Sequence, residues 1–135
     1  MVSFFNRKGS GSKKSVLIVD DSRAVRMEIR RVMEGMGFDV QEADNGRMAL
    51  TRLQEGDVSL ALIDWNMPVM NGLQLLQRLE EDGRLKSMKV LMVTTRGELD
   101  DMIQALEQGA NDYLVKPFSR ADLVEKLAEL GFRVS

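Results

Sequence analysis

The chain has 135 residues, 44% of them apolar and 30% charged, with a net charge of −2 and neither cysteine nor histidine. That length fits one domain with a real core, the charge gives no reason to expect nucleic acid, and no apolar run approaches the ~20 residues of a membrane span. The missing residue types exclude a disulfide framework, a thiolate or imidazole metal site and a histidine base, so any chemistry must use Asp, Glu, Lys, Ser, Thr and the backbone.

Residues 1–14 read as a flexible basic tail. Gly9-Ser10-Gly11-Ser12 is linker composition, and Arg7, Lys8, Lys13 and Lys14 carry charge with no acid before Asp20. The glycines do not make a phosphate loop, because the Gly-x4-Gly-Lys-[Ser/Thr] spacing fails and a strand follows where a helix is needed. Contact of Phe4, Phe5 and the basic residues with an anionic surface is a minor alternative. Val2–Phe5 is too short for a signal-peptide core and no small-residue cleavage site follows it. A cytoplasmic protein is the expectation.

Residues 15–135 read as one domain. Val16-Leu17-Ile18-Val19 is an apolar run of buried-strand type ending in Asp20-Asp21. Ser22 can cap a helix whose Val25, Ile29, Val32, Met33 and Met36 share one face, with Gly37 as its stop. Phe38–Ala43 alternates only in part, as an edge strand does. Asp44-Asn45-Gly46 turns into a helix with Met48, Ala49, Leu50 and Leu53 inward, ending near Gly56. Leu60-Ala61-Leu62-Ile63 then runs straight into Asp64, and the turn Trp65-Asn66-Met67-Pro68 follows. Asn71 can cap a helix with Leu75, Leu76 and Leu79 inward. Val90-Leu91-Met92-Val93 is a fourth strand ending in Thr94-Thr95, and Leu99, Met102, Ile103 and Leu106 form a helical stripe closed by Gly109. Tyr113-Leu114-Val115 leads to Lys116-Pro117; Ser119 with Asp122 is a capping box for a last helix with Leu123, Val124, Leu127 and Leu130 inward.

Strand and helix alternate five times. Each parallel return needs a crossover, so the expected fold is α/β, a doubly wound parallel sheet with helices on both faces. Ligands of such sheets bind beyond the carboxyl ends of the strands. There the chain places Asp20-Asp21 after the first strand, Asp64 after the third, Thr94 after the fourth and Lys116 after the fifth. Gathered carboxylates repel one another unless a cation joins them, and hard oxygen ligands select Mg²⁺ or Mn²⁺ over zinc. Lys116 and Thr94 suit phosphate oxygens. Singly, each group has an ordinary explanation: Asp20-Asp21 a helix cap, Lys116 a solvated charge, Thr94 a strand end, Trp65 and Tyr113 packing. Together they read as metal-assisted phosphoryl transfer with an Asp nucleophile.

From about Ser15 to Gly131 the chain resembles the receiver domain of bacterial two-component response regulators, and most resembles the stand-alone chemotaxis kind. The resemblance is carried by the order Asp20-Asp21, Asp64-Trp65-Asn66-Met67-Pro68, Leu91-Met92-Val93-Thr94, Lys116-Pro117. It implies the flavodoxin-like (βα)5 fold, whose strand order 2-1-3-4-5 belongs to that class and is not deduced from the apolar runs. It implies that Asp64 accepts a phosphoryl group from a histidine kinase, and that Asp20, Asp21, Asp64 and the Asn66 backbone carbonyl hold Mg²⁺, with Asp20 acting mainly through water. Thr94, Thr95, Lys116 and Tyr113 become the phosphate-binding and switch set, and the bond before Pro117 is cis. The output face, Met102–Lys126, is built from the fourth helix, fifth strand and fifth helix. It would meet a flagellar motor switch protein or another target, and a partner phosphatase would reset the switch.

Thr95 and Arg96 depart from the enteric chemotaxis regulator, which has a smaller Ala and a Glu there. Val69 and Asn71 also differ from it around the Asp64 loop, whereas Asn66 agrees. The chain ends at Ser135 with no effector after its last helix, so the expectation is a signalling module and not an enzyme beyond its own phosphorylation and dephosphorylation. The alternatives are a receiver of another pathway or of a longer DNA-binding regulator. An Mg²⁺-dependent phosphatase of haloacid-dehalogenase type is a third, disfavoured because Asn66 stands where the second acid of Asp-x-Asp belongs.

Overall fold

A computed structural model describes residues 14–133, so the expected tail, save Lys14, lies outside the described residues. Five strands form one parallel sheet: β1 (Ser15–Val19), β2 (Asp39–Ala43), β3 (Leu60–Asp64), β4 (Lys89–Thr95) and β5 (Asp112–Lys116). Their order is β2-β1-β3-β4-β5. The helices between and after them are α1 (Arg23–Gly35), α2 (Gly46–Glu55), α3 (Gly72–Glu81), α4 (Met102–Gln108) and α5 (Arg120–Glu129). Order and class agree with the sequence reading.

Strand periodicity builds two cores. Leu17, Val19, Ala61, Ile63, Val90 and Met92 point to one face, where α2, α3 and α4 add Ala49, Leu53, Leu75, Leu76, Leu79, Met102 and Ala105. Val16, Ile18, Leu60, Leu62, Leu91, Val93 and Leu114 point to the other, against Ile29, Val32 and Met33 of α1 and Leu123 and Leu127 of α5. Central strands buried on both sides therefore carry no alternation, and the uninterrupted apolar runs follow from that. β2, at the edge, keeps exposed or half-buried residues at four of its five positions.

The helix starts are fixed locally. Ser22, Asn45, Asn71 and Ser119 each accept a backbone N–H of the first turn through the side chain, satisfying donors that a helix leaves open. On α1, Arg26 and Arg30 both reach Glu42 of β2, at 2.8 and 2.6 Å. Burial would raise the Glu42 carboxyl, but the two guanidiniums outweigh it and hold its pKa below the ordinary value.

Two sequence expectations are corrected. Met48 is exposed, because α2 turns Ala49 and Leu53 to the sheet and leaves Met48 on its rim. The stripe Leu99, Met102, Ile103 and Leu106 is not one buried helix face. Residues Arg96–Asp101 form a 3₁₀ turn, opened by a capping box between Thr95 and Glu98, and α4 starts only at Met102. Met102 and Ala105 are buried, whereas Leu99, Ile103 and Leu106 are 36%, 65% and 40% exposed.

Candidate functional site

Register brings the site together. Val19 pairs with Ile63 and Asp64 with Val93, so the residues just past these pairs, Asp20 and Thr94, flank Asp64 on either side. Thr95 pairs with Lys116, which aims the lysine from β5 back over the same edge.

Asp20 and Thr94 are buried and Asp64 is only 6% exposed. Lys116 Nζ donates to Asp20 Oδ2 at 2.9 Å and to Asp64 Oδ1 at 3.4 Å. Asp20 Oδ1 accepts the Ser22 N–H at 2.8 Å, and the Asp20 carbonyl accepts from Arg26 Nη1 at 2.7 Å. The Asp20 side chain is thus held from two directions by its own helix start and by β5.

Asp21 completes a carboxylate group: one oxygen from each of Asp20, Asp21 and Asp64 lies within 4.8 Å of the others. Three carboxylates face one ammonium. Burial first, then the charge of Asp20, pushes the Asp64 carboxyl up to about 6, with Lys116 pulling the other way. Lys116 itself loses by burial but gains more from its bonds to Asp20 and Asp64, and its pKa is raised. The excess negative charge, the all-oxygen donors and their spread fit a hard divalent cation.

The backbone around Asp64 is tightly laid. Gly72, the first residue of α3, donates its N–H to the Trp65 carbonyl at 2.9 Å. A Cβ on Gly72 would lie 2.5 Å from the Asp64 carbonyl oxygen and 2.9 Å from Trp65 Cα. Both are backbone atoms and cannot rotate away. Gly72→Ala is expected to destabilise the fold by about 2 kcal/mol, measured by urea unfolding; an unchanged midpoint would contradict this close packing. Between Asp64 and α3, Val69 takes φ 70°, a left-handed conformation uncommon for a β-branched residue. The Lys116–Pro117 peptide is cis.

A model of the response regulator receiver domain matches residues 16–128. The chain belongs to the response regulator receiver family. Chemotaxis protein CheY-3 of Vibrio cholerae is 41% identical over 120 residues, 88% of this chain and 92% of that protein. Chemotaxis protein CheY of Pseudomonas aeruginosa is 41% identical over 121 residues, covering 89% and 98%. Among solved structures, the chemotaxis response regulator CheY4 of V. cholerae superposes with a TM-score of 0.82 at 30% identity, covering 88% of this chain and 99% of that one. A response regulator from Chloroflexus aurantiacus gives 0.82 at 31% identity, covering 88% and 98%.

In this receiver the residues singled out from sequence fall into two groups. Asp20, Asp21, Asp64 and Lys116 converge directly. Thr94 and Asn66 border them but bond elsewhere: the Thr94 hydroxyl lies 3.1 Å from Glu98 Oε1, and the Asn66 amide donates to Glu98 Oε2. Thr95 is exposed and also bonds Glu98, through its N–H and its hydroxyl. Half-buried Tyr113 lies near the start of β5, before Lys116 and opposite Met92, with Lys126 Nζ 5.6 Å from its ring centroid. Glu98 is the residue that sequence reasoning missed.

Proposed function

We propose that the protein is a phosphorylation-switched regulator in which Asp64 accepts a phosphoryl group from a kinase phosphohistidine. The observation that carries this reading is Asp64 itself: a nearly buried carboxylate on a rigid strand end, 3.4 Å from Lys116, inside a cluster of three acids. An Asp64 oxygen attacks phosphorus, the new O–P bond forms as the N–P bond breaks, and the imidazole leaves with the electron pair and takes a proton from solvent. Lys116 stands where it can neutralise a phosphoryl oxygen in that transfer, and such fixed positive charge is the main catalytic contribution in phosphoryl chemistry.

Asp20, Asp21, Asp64 and the Asn66 carbonyl would hold Mg²⁺, or Mn²⁺. The bound ion would supply charge neutralisation between the acceptor and the phosphoryl oxygens. Asp20 is already held by Lys116 and Ser22, which suits a role through water.

The output reading rests on relatives and on the surface. The chemotaxis relatives favour a flagellar motor switch protein as target, with a phosphatase resetting the switch. Exposed Ile103 and Leu106 on α4, the helix between β4 and β5, give an apolar pair on which such a target can dock. Tyr113 lies on that side, and a turn of its ring would alter the face. The phosphate adds ~1.5–2 negative charges at one point.

The test is incubation with acetyl phosphate and Mg²⁺. One phosphoryl group per chain, mapped to Asp64, is expected, with a phospho-dependent gain in binding a motor-switch peptide. Labelling at another residue, or unchanged labelling in excess EDTA, would contradict the site. A normal label without any gain in peptide binding would remove the motor reading and leave the receiver.

A further inference from the structure

We propose that Glu98 is a positioning residue of the switch: its carboxylate latches the Thr94 hydroxyl and the Asn66 amide, and must release them before a phosphoryl group on Asp64 can take that hydroxyl. The inference rests on the reading of Asp64 as acceptor.

Glu98 has an ordinary task in the capping box at the start of the 3₁₀ turn, where it accepts the Thr95 N–H at 3.1 Å. That task needs one bond. Glu98 makes more: Oε1 lies 3.1 Å from Thr94 Oγ1 and 3.0 Å from Thr95 Oγ1, and Oε2 accepts from the Asn66 side chain. One carboxylate therefore joins the end of β4 to the loop after β3, the loop that Asp64 opens.

The Thr94 hydroxyl carries a single proton and can donate to one acceptor at a time. Its acceptors in the structure are the Thr95 carbonyl at 3.3 Å and Glu98 Oε1 at 3.1 Å. The charged acceptor makes the stronger bond. Thr94 is wholly buried, so water does not readily replace either partner. A phosphoryl group on Asp64 brings several anionic oxygens to the same edge, and these compete with Glu98 for the proton. They also repel its carboxylate. Loading the acceptor thus pushes on the residue that caps the turn leading into α4. Glu98 becomes a link between site chemistry and the exposed α4 face.

The experiment uses the full chain and the tetrahedral acyl-phosphate analogue beryllofluoride with Mg²⁺, read by fluorescence of Trp65, the single tryptophan, next to Asp64. Glu98→Gln keeps a capping partner and removes the charge. It is expected to bind beryllofluoride about 10-fold more tightly than the unaltered chain, with unchanged or weaker affinity for Mg²⁺ alone. In a Thr94→Ala background only the repulsion between Glu98 and the anionic ligand remains, and the same substitution is expected to gain about threefold or less. An equal gain in both backgrounds would reduce Glu98 to a repelling charge and overturn the latch, as would no gain in Glu98→Gln. Glu98→Ala, which removes the cap as well, is expected to gain affinity while melting at a lower temperature, so lost structure and lost latch are read separately. Failure of the unaltered chain to bind beryllofluoride overturns the acceptor reading itself, and the latch falls with it.

Discussion

Asp64→Asn is expected to abolish phosphoryl incorporation and, in metal-free protein at neutral pH, to make the fold more stable. The first effect follows from loss of the nucleophilic oxygen pair. The second follows from the electrostatics. Burial and the charge of Asp20 push the Asp64 carboxyl from its ordinary 3.8 up to about 6. A carboxyl that holds its proton more tightly folded than unfolded makes stability fall as pH rises. Below pH ~4 both states are protonated and there is no penalty; between ~4 and 6 the penalty grows; above that it is complete. The shift corresponds to at most ~3 kcal/mol, and with coupling to Lys116 and Asp20 about 1–2 kcal/mol is the expected gain for the amide at pH 7.5. Urea unfolding at pH 7.5 and pH 4 checks it: the advantage must shrink to near zero at the lower pH. Equal gains at both would show that the carboxylate charge is not the cause. Added Mg²⁺ is expected to narrow the difference at pH 7.5, because it relieves the same repulsion in the unaltered chain.

The residues of this acidic edge were legible in sequence because each directly follows or ends a buried run. Parallel topology sends all such ends to one side, so Asp20, Asp64, Thr94 and Lys116 converge without any knowledge of side-chain contacts. The order of apolar runs and turn residues was enough for the fold class as well. Periodicity failed at α4 for a definite reason. A stripe at Leu99, Met102, Ile103 and Leu106 reports which residues share a helix face, but not whether the sheet extends under that face. Here it covers Met102 and Ala105, and the capping box at Thr95 and Glu98 spends the first turn as 3₁₀.

Glu98 was invisible for another reason. Its partner Asn66 lies in the loop after β3, 32 positions away, and a Glu within a polar turn carries no periodic signal. The pairing of Arg26 and Arg30 with Glu42 was hidden likewise: the arginines are one helical turn apart, but only the β1–β2 pairing puts the acid beneath them. Long-range polar contacts are set by register, and register is a property of the assembled sheet.

The balance of charge around Asp64 gives Lys116→Met the other large expected effect. The ammonium sits 2.9 Å from Asp20 Oδ2, and the Asp20 side chain is 2% exposed. Methionine fills similar volume but leaves Asp20 and Asp64 facing each other and Asp21 with no cation among them. Removing one partner of a buried pair costs about 3–5 kcal/mol. Lys116 is 22% exposed and Asp20 keeps the Ser22 N–H, so about 2–3 kcal/mol is expected without metal. The lysine's raised pKa means that its contribution is present below its unfolded value and lost only as pH rises through the higher folded one. The deficit therefore holds across the neutral range. Mg²⁺ is expected to restore most of it, and to stabilise Lys116→Met more than the unaltered chain, since a divalent cation then supplies the missing positive charge. Thermal melts with and without Mg²⁺ decide this; equal metal-induced shifts in the two proteins would show that Lys116 and the cation do not share the same field. Labelling by acetyl phosphate should not recover in parallel. With the ion present but no ammonium to meet a phosphoryl oxygen, the transfer rate is expected to stay about 100-fold low. Stability restored without rate would separate the two tasks of Lys116: balancing Asp20 at rest, and meeting the phosphoryl oxygen during transfer.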